Sequence, residues 1–189
     1  MSDLEPDNRA VAVYCASSVG KHPAYVRAAQ SLGKALAETK RRLIYGGGSK
    51  GIMGAVSGAV VDAGGEVTGL YHTGKRGPSV LLKESGRERS VVVNTMHERK
   101  TEMAKRSGSF IALPGGYGLS KRFHHPTNAN LVRFVNGPAD HAEHEDFDWG
   151  KAALDVLEKW TFPERTHFYD WSKMKSVDGE RIGDALDAV

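Results

Sequence analysis

Apolar and polar positions alternate in two distinct rhythms over the first two thirds of the chain. After a polar, acidic opening from Met1 to Arg9, the run Val11-Ala12-Val13-Tyr14-Cys15 reads as a short buried strand, closed by the turn-like Ser17-Ser18-Val19-Gly20. Pro23 stands at a favoured first helical position, and Tyr25, Ala28, Ala29, Leu32 and Leu36 follow at helical spacing, which predicts a helix with one apolar face. Leu43-Ile44-Tyr45 reads as a second strand running into Gly46-Gly47-Gly48. Ile52, Ala55, Val56, Ala59, Val60 and Ala63 then mark the best-patterned helix of the chain, ended by Gly64-Gly65, where a positive φ is wanted. Val67 to Tyr71 is a third strand and, after a basic loop, Val91-Val92-Val93 a fourth. Thr95-Met96-His97-Glu98 has the form of a capping box opening a further helix. Phe110 to Leu113 is a fifth strand, ending in Pro114-Gly115-Gly116.

Strand and helix in such alternation predict an α/β fold, a parallel sheet flanked by helices on both faces. Ligands of such sheets sit at the carboxyl ends of the strands, where both glycine-rich stretches fall. After Gly118 the rhythm degrades. Residues 119–148 show neither period and hold His124, His125, Pro126, Asn128, Asn130, Gly137 and Pro138. One helix returns, with Trp149, Ala152, Ala153, Val156, Leu157 and Trp160 expected on one face, and a polar tail follows. The organisation expected is a nucleotide-binding core over residues 1–118 and a divergent C-terminal segment, 119–189, of the same domain.

Composition narrows the picture. The 189 residues suit one domain with a real core, and no apolar run approaches the roughly eighteen residues of a membrane span. The opening residues are unlike a secretory or transit peptide. Cys15 is the single cysteine, which excludes an internal disulfide or a multi-cysteine metal site and fits a reducing, cytoplasmic setting. The net charge of +3 hides an asymmetry, with 20 Lys/Arg against 10 Asp/Glu over residues 1–138 and 6 against 13 over residues 139–189. The basic charges are scattered and not interleaved with aromatic residues, so a phosphate-bearing small ligand accounts for them better than a nucleic acid does.

Gly46-Gly47-Gly48-Ser49-Lys50-Gly51 follows a strand and opens a helix. Glycines let a backbone approach a phosphate, and a helix N-terminus offers N–H groups and partial positive charge. The run also satisfies G-x-G-x-x-G, a weak signal alone. A dinucleotide site wants an acidic residue ending the next strand, but Glu66 begins that strand and Tyr71-His72 ends it. Phosphate binding without a nicotinamide cofactor is the reading favoured; a tight turn without a ligand would give the same pattern. In the next helix Met96, Met103 and Ala104 are expected to face inward, with Arg99 and Lys100 set between them. Long cations on an apolar stripe must snorkel, pair or meet an anion. Glu98 is assigned to the cap rather than to catalysis, and His97 to the first turn. Pro114-Gly115-Gly116-Tyr117-Gly118 is a second backbone-rich loop. His124, His125, His141 and His144, with Glu143 and Glu145, match no metal-site spacing, and no metal is expected.

Together Gly46-Gly47-Gly48-Ser49-Lys50-Gly51-Ile52-Met53-Gly54, Met96-His97-Glu98-Arg99-Lys100 and Pro114-Gly115-Gly116-Tyr117-Gly118 resemble the LONELY GUY family in sequence, spacing and order, over roughly residues 9 to 118. The resemblance implies a Rossmann-like homodimer that cleaves the N-glycosidic bond of cytokinin riboside 5′-monophosphates, releasing free base and ribose 5-phosphate without metal or organic cofactor. It implies a catalytic role for Arg99. Gly46, Gly47, Gly48, Gly51, Met96, Lys100, Gly115, Gly116 and Gly118 are then expected to bind substrate and phosphate.

The resemblance breaks in one place. The family motif is P-G-G-x-G-T-x-x-E, and here Leu119 stands at the Thr position and Arg122 at that of the catalytic Glu; Ala16 also replaces a usual Gly. Glycosidic cleavage passes through an oxocarbenium-like state that an anion stabilises, so Arg122 brings the wrong sign. Two readings stand side by side: a phosphoribohydrolase acting on cytokinin riboside 5′-monophosphate or AMP-type nucleotides, and a catalytically silent nucleotide-binding or partner-binding protein. Pyridoxal-dependent lysine decarboxylation, a label such proteins often carry, finds no Schiff-base lysine context here.

Overall fold

A computed structural model describes residues 7–72, 86–114 and 133–160. In chain order these form β1 (Asp7–Tyr14), α1 (Pro23–Glu38), β2 (Leu43–Tyr45), α2 (Gly51–Asp62), β3 (Val67–His72), β4 (Glu88–Val93), α3 (Met96–Lys105), β5 (Ser107–Ala112), a 3-10 turn (His141–Glu145) and α4 (Trp149–Glu158). The five strands make one parallel sheet in the order β4-β3-β2-β1-β5. Val11 pairs with Leu43 on one side and Ser109 on the other, and Leu43 with Val67. A parallel strand cannot return through a tight turn, and the crossovers β1–β2, β2–β3 and β4–β5 each lay a helix on the sheet.

Alternation within the strands separates two cores. On one face Val11, Val13, Leu43, Tyr45 and Val67 meet Leu32 and Leu36 of α1, Ile52, Val56 and Val60 of α2, and Leu154 of α4. On the other, Ala10, Ala12, Ile44, Leu70 and Val93 pack with Met103 of α3. Leu32, Leu36, Val56 and Val60 are shielded completely or nearly so, and burying each such side chain is worth about 1.5–3 kcal/mol. The predicted fold class is therefore observed, with helices on both faces.

The helix signals hold where they are local. Pro23 opens α1, whose buried residues Ala28, Ala29, Leu32, Gly33 and Leu36 lie on the expected face. Gly64 follows α2 with φ +81°. The Thr95 hydroxyl accepts from the Glu98 amide at 3.0 Å, while the Glu98 carboxylate accepts from the Asn94 amide at 2.7 Å, so the expected capping box forms with its return bond one residue early.

Three expectations need correction. The inward face of α3 is carried by Met103 alone; Met96 and Ala104 are exposed, because the helix lies over β3, β4 and β5 by one narrow strip. In α4 the most buried positions are Gly150 and Leu154, neither on the expected list; of the expected face Ala153 and Leu157 pack against the core beside them, while Trp149 and Trp160 are only partly buried. Gly150 is set there by α1: its amide donates to the Ser31 hydroxyl at 2.7 Å, and the hydroxyl donates to Asp148. Within the stretch that showed no period, residues 141–145 form the 3-10 turn, which Asp140 caps. Among the described residues no helix is long and apolar enough to cross a membrane.

Candidate functional site

Sheet order reverses at β1, whose neighbours are β2 on one side and β5 on the other. The crevice at such a switch point is where open α/β sheets hold ligands. The loop leaving β1 is stitched to both sides. The Leu113 amide donates to the Tyr14 carbonyl at 2.9 Å and the Ala16 amide to that of Pro114 at 3.3 Å, tying the loop to the end of β5. Toward β2, the amides of Ile52 and Met53 donate to the carbonyls of Ser18 and Ala16, each at 3.3 Å. This corrects the expectation of a free helix N-terminus at α2. Two of its first-turn amides are committed to the β1 loop, so an anion here must be met by the glycine run ahead of the helix.

That run needs its glycines. Gly47 and Gly51 adopt φ +75° and +64°, in the left-handed region that costs other residues dearly. A Cβ on Gly51 would also lie 2.4 Å from the Ser17 carbonyl carbon and oxygen, so the β1 loop passes directly against its backbone.

Arg99 comes to the same place from α3. Its Nη1 donates to the Gly46 carbonyl at 3.2 Å, and a Cβ on Gly46 would sit 3.1 Å from Nη2. The guanidinium is half-buried, and its Nε is shielded from solvent with no hydrogen-bond partner among the described residues. Burial lowers its affinity for the proton while the Tyr14 phenol opposes that shift; an arginine nonetheless remains charged. Burial likewise raises the Tyr14 pKa, with Arg99 pulling it back. The Cys15 thiol, next in the chain, is pushed up to about 12 by burial and stays protonated at neutral pH.

Of the sequence-predicted residues, the structure thus brings together Arg99 with Gly46, and places Gly47, Gly48 and Gly51 in the same loop. Met96 is 46% exposed in the first turn of α3, and Lys100 is exposed. Gly115, Gly116 and Gly118 lie outside the described residues, as do Leu119, Arg122, His124 and His125; Pro114 is the last residue described before them. His144 is tied into the structure: a ring nitrogen bonds the Pro138 carbonyl at 2.9 Å, and its ring meets Trp149 edge-on.

The carboxylates flanking Arg99 on α3 are occupied. Glu98 closes the capping box, and Glu102 pairs with Arg106 and, at 3.2 Å, with Lys105. The Arg106 hydrogen bond holds Glu102 below its usual pKa, so it is a poor proton acceptor. Sequence reasoning missed the carbonyls of Ala16 and Ser18 at the site and, outside it, the buried phenols of Tyr45 and Tyr71, which both donate to Glu88 Oε1. The strand-to-loop position of Ala16-Ser17-Ser18 was visible; its bonds to α2 were not.

The arrangement can bind an anion through a guanidinium and glycine backbone. The family model described as possible lysine decarboxylase matches residues 53–121. The chain is 51% identical over 110 residues to the probable cytokinin riboside 5′-monophosphate phosphoribohydrolase LOGL9 of Oryza sativa subsp. japonica, covering 58% of this chain and 48% of that protein. It is 46% identical over 108 residues to the cytokinin riboside 5′-monophosphate phosphoribohydrolase LOG5 of Arabidopsis thaliana, covering 57% and 46%. The chain spans about half the length of the curated relatives it matches. In fold it is similar to the molybdenum cofactor binding protein of Rippkaea orientalis, with TM-score 0.57 and 14% identity over 79% of this chain and 93% of that one.

Proposed function

We propose that the protein, which is similar to cytokinin riboside 5′-monophosphate phosphoribohydrolases over 58% of its length, hydrolyses the N-glycosidic bond of cytokinin riboside 5′-monophosphate or AMP-type nucleotides, giving free base and ribose 5-phosphate. The observation that carries this reading is the half-buried Arg99 guanidinium held on the Gly46 carbonyl, at the mouth of the glycine run. A cation kept partly out of water with one nitrogen unmatched is set to receive an anionic ligand. In this reading Gly46, Gly47, Gly48 and Gly51, with Gly115, Gly116 and Gly118, hold the phosphate by backbone N–H groups. Met96 and Lys100 border the nucleotide, and Arg99 orients it and stabilises charge as the glycosidic bond opens. No cofactor enters the chemistry, and a cytoplasmic homodimer belongs to the same reading.

A specific observation favours a second reading. Arg122 stands where the family motif has its Glu, and the acids beside Arg99 on α3 are already engaged. A protein without a placed carboxylate would bind the nucleotide and leave it intact. Incubating the purified chain with AMP and with an N6-modified AMP, and watching for free base and ribose 5-phosphate, separates the two. Equimolar release of both products supports hydrolysis; saturable binding without release supports the silent reading; absence of binding rejects both.

A further inference from the structure

Tyr71 lies near the carboxyl end of β3, outside the three motifs that carry the family resemblance. Its ring is 5% exposed and is wedged between two glycines. On one side a Cβ at Gly47 would lie 2.7 Å from Cδ1 and Cε1 of the ring. On the other, a Cβ at Gly69 would lie 2.7 Å from the hydroxyl and 2.8 Å from Glu88 Oε1. The absent side chain of Gly69 is therefore the space through which the ring reaches back along β3 to donate to Glu88 on β4. The same Glu88 oxygen accepts from Tyr45, at 3.2 Å, the residue directly before the glycine run. One carboxylate oxygen thus anchors two phenols, and one of the two rings is the floor beneath Gly47.

We propose that Tyr71 is a positioning residue for the glycine loop: clamped by Glu88, its ring holds Gly47 in the left-handed conformation that aims the loop at the nucleotide phosphate. Gly47 has no side chain of its own to fix its φ of +75°, so the loop's geometry must come from what it rests on. A flat ring whose far end is hydrogen-bonded to Glu88 is a stiff support, because displacing it breaks that bond and leaves a buried phenol hydroxyl without this acceptor. Preorganisation of this kind acts on affinity: a loop that must be ordered on binding weakens it. This rests on the glycine run being the phosphate site, and the test keeps the two ideas apart.

Three variants of the full chain are compared, Tyr71→Phe, Tyr71→Leu and Tyr45→Phe. Tyr45→Phe removes a hydroxyl from the same carboxylate oxygen but takes nothing from beneath Gly47, so it reports general loss of stability. Hydrogen exchange of the amides from Gly46 to Lys50, without ligand, reads the support directly. Faster exchange in both Tyr71 variants, largest in Tyr71→Leu, with Tyr45→Phe unchanged there, is expected. Titration with AMP then reads the consequence: affinity about tenfold weaker in Tyr71→Leu, less so in Tyr71→Phe, and unaltered in Tyr45→Phe. If Tyr45→Phe loosens the loop and weakens AMP as much as Tyr71→Phe does, or if neither Tyr71 variant changes loop exchange, the positioning role is overturned. If loop exchange responds as expected but the natural protein does not bind AMP, the support stands and the nucleotide reading falls.

Discussion

Replacing Arg99 with alanine separates a residue that serves the fold from one that serves a ligand. Among the described residues the side chain contributes one hydrogen bond, from Nη1 to the Gly46 carbonyl at 3.2 Å, and carries a shielded Nε with no hydrogen-bond partner. A hydrogen bond from a charged donor stabilises by about 1.5–3 kcal/mol, and a buried unmatched donor costs about 1–3 kcal/mol. The two nearly cancel, so Arg99→Ala should shift stability by no more than about 1 kcal/mol, or roughly 2–4 °C in Tm for a chain of this size. A ligand that matches the unmatched nitrogen feels the loss in full. Removing a placed electrostatic group commonly lowers turnover by roughly a hundred- to thousand-fold, and AMP affinity should fall with it. Thermal melting and calorimetric titration of the same preparation measure both quantities. A variant that melts more than about 10 °C lower while its folded fraction binds AMP as the natural protein does would refute the reasoning and make Arg99 a structural residue.

Asp148→Ala should destabilise by about 2 kcal/mol, since the carboxylate caps α4 through the Lys151 amide at 3.1 Å and accepts from Ser31 at 2.7 Å. Those bonds, the Lys151 amide first, hold the Asp148 pKa below its usual 3.8, so its stabilisation is present above that value and is lost as pH falls through the folded value; acid melts of the variant should lack that part of the limb. At the alkaline end burial raises the Cys15 thiol from 9.0 to about 12, so stability is full below the lower figure and declines toward the upper, and Cys15→Ala should flatten this decline in melts recorded across that range. Leu119→Thr combined with Arg122→Glu, which rebuilds the family motif, should raise release of free base from AMP by roughly a hundred-fold or more; an active natural protein left unchanged by the pair would assign the work to another carboxylate.

What the sequence revealed was governed by local rules. The capping box at Thr95 and Glu98, the proline start of α1 and the glycine stop of α2 involve residues a turn apart, and each formed where expected. The parallel α/β order followed from alternation of period alone. The misses arise from partners far apart in the chain. The polar residues Asp7, Asn8 and Arg9 belong to β1 because β5 pairs with Asp7 through Ser107, which no local pattern announces. The inward face of α4 is centred on Gly150 and Leu154 because Ser31 and Ala35 of α1 lie directly against Gly150. At the site, the glycine run and Arg99 were legible as residue types, since glycines and a cation on an apolar stripe are anomalies that call for a partner. Their contact, 53 positions apart, was not. Nor was the use of the Ile52 and Met53 amides by the β1 loop, which turns an apparent anion site at a helix end into one that depends on the loop before it.

If Arg99 and the glycine run receive a phosphate-bearing nucleotide, as proposed, the phosphate must carry much of its affinity. Titrating the purified protein in parallel with AMP and adenosine tests it most directly, because the two ligands differ only in the 5′-phosphate. Clearly tighter binding of AMP is expected, with the difference narrowing in Arg99→Ala, as charge-assisted hydrogen bonds to the phosphate are lost. Equal affinity for AMP and adenosine in the natural protein would contradict it.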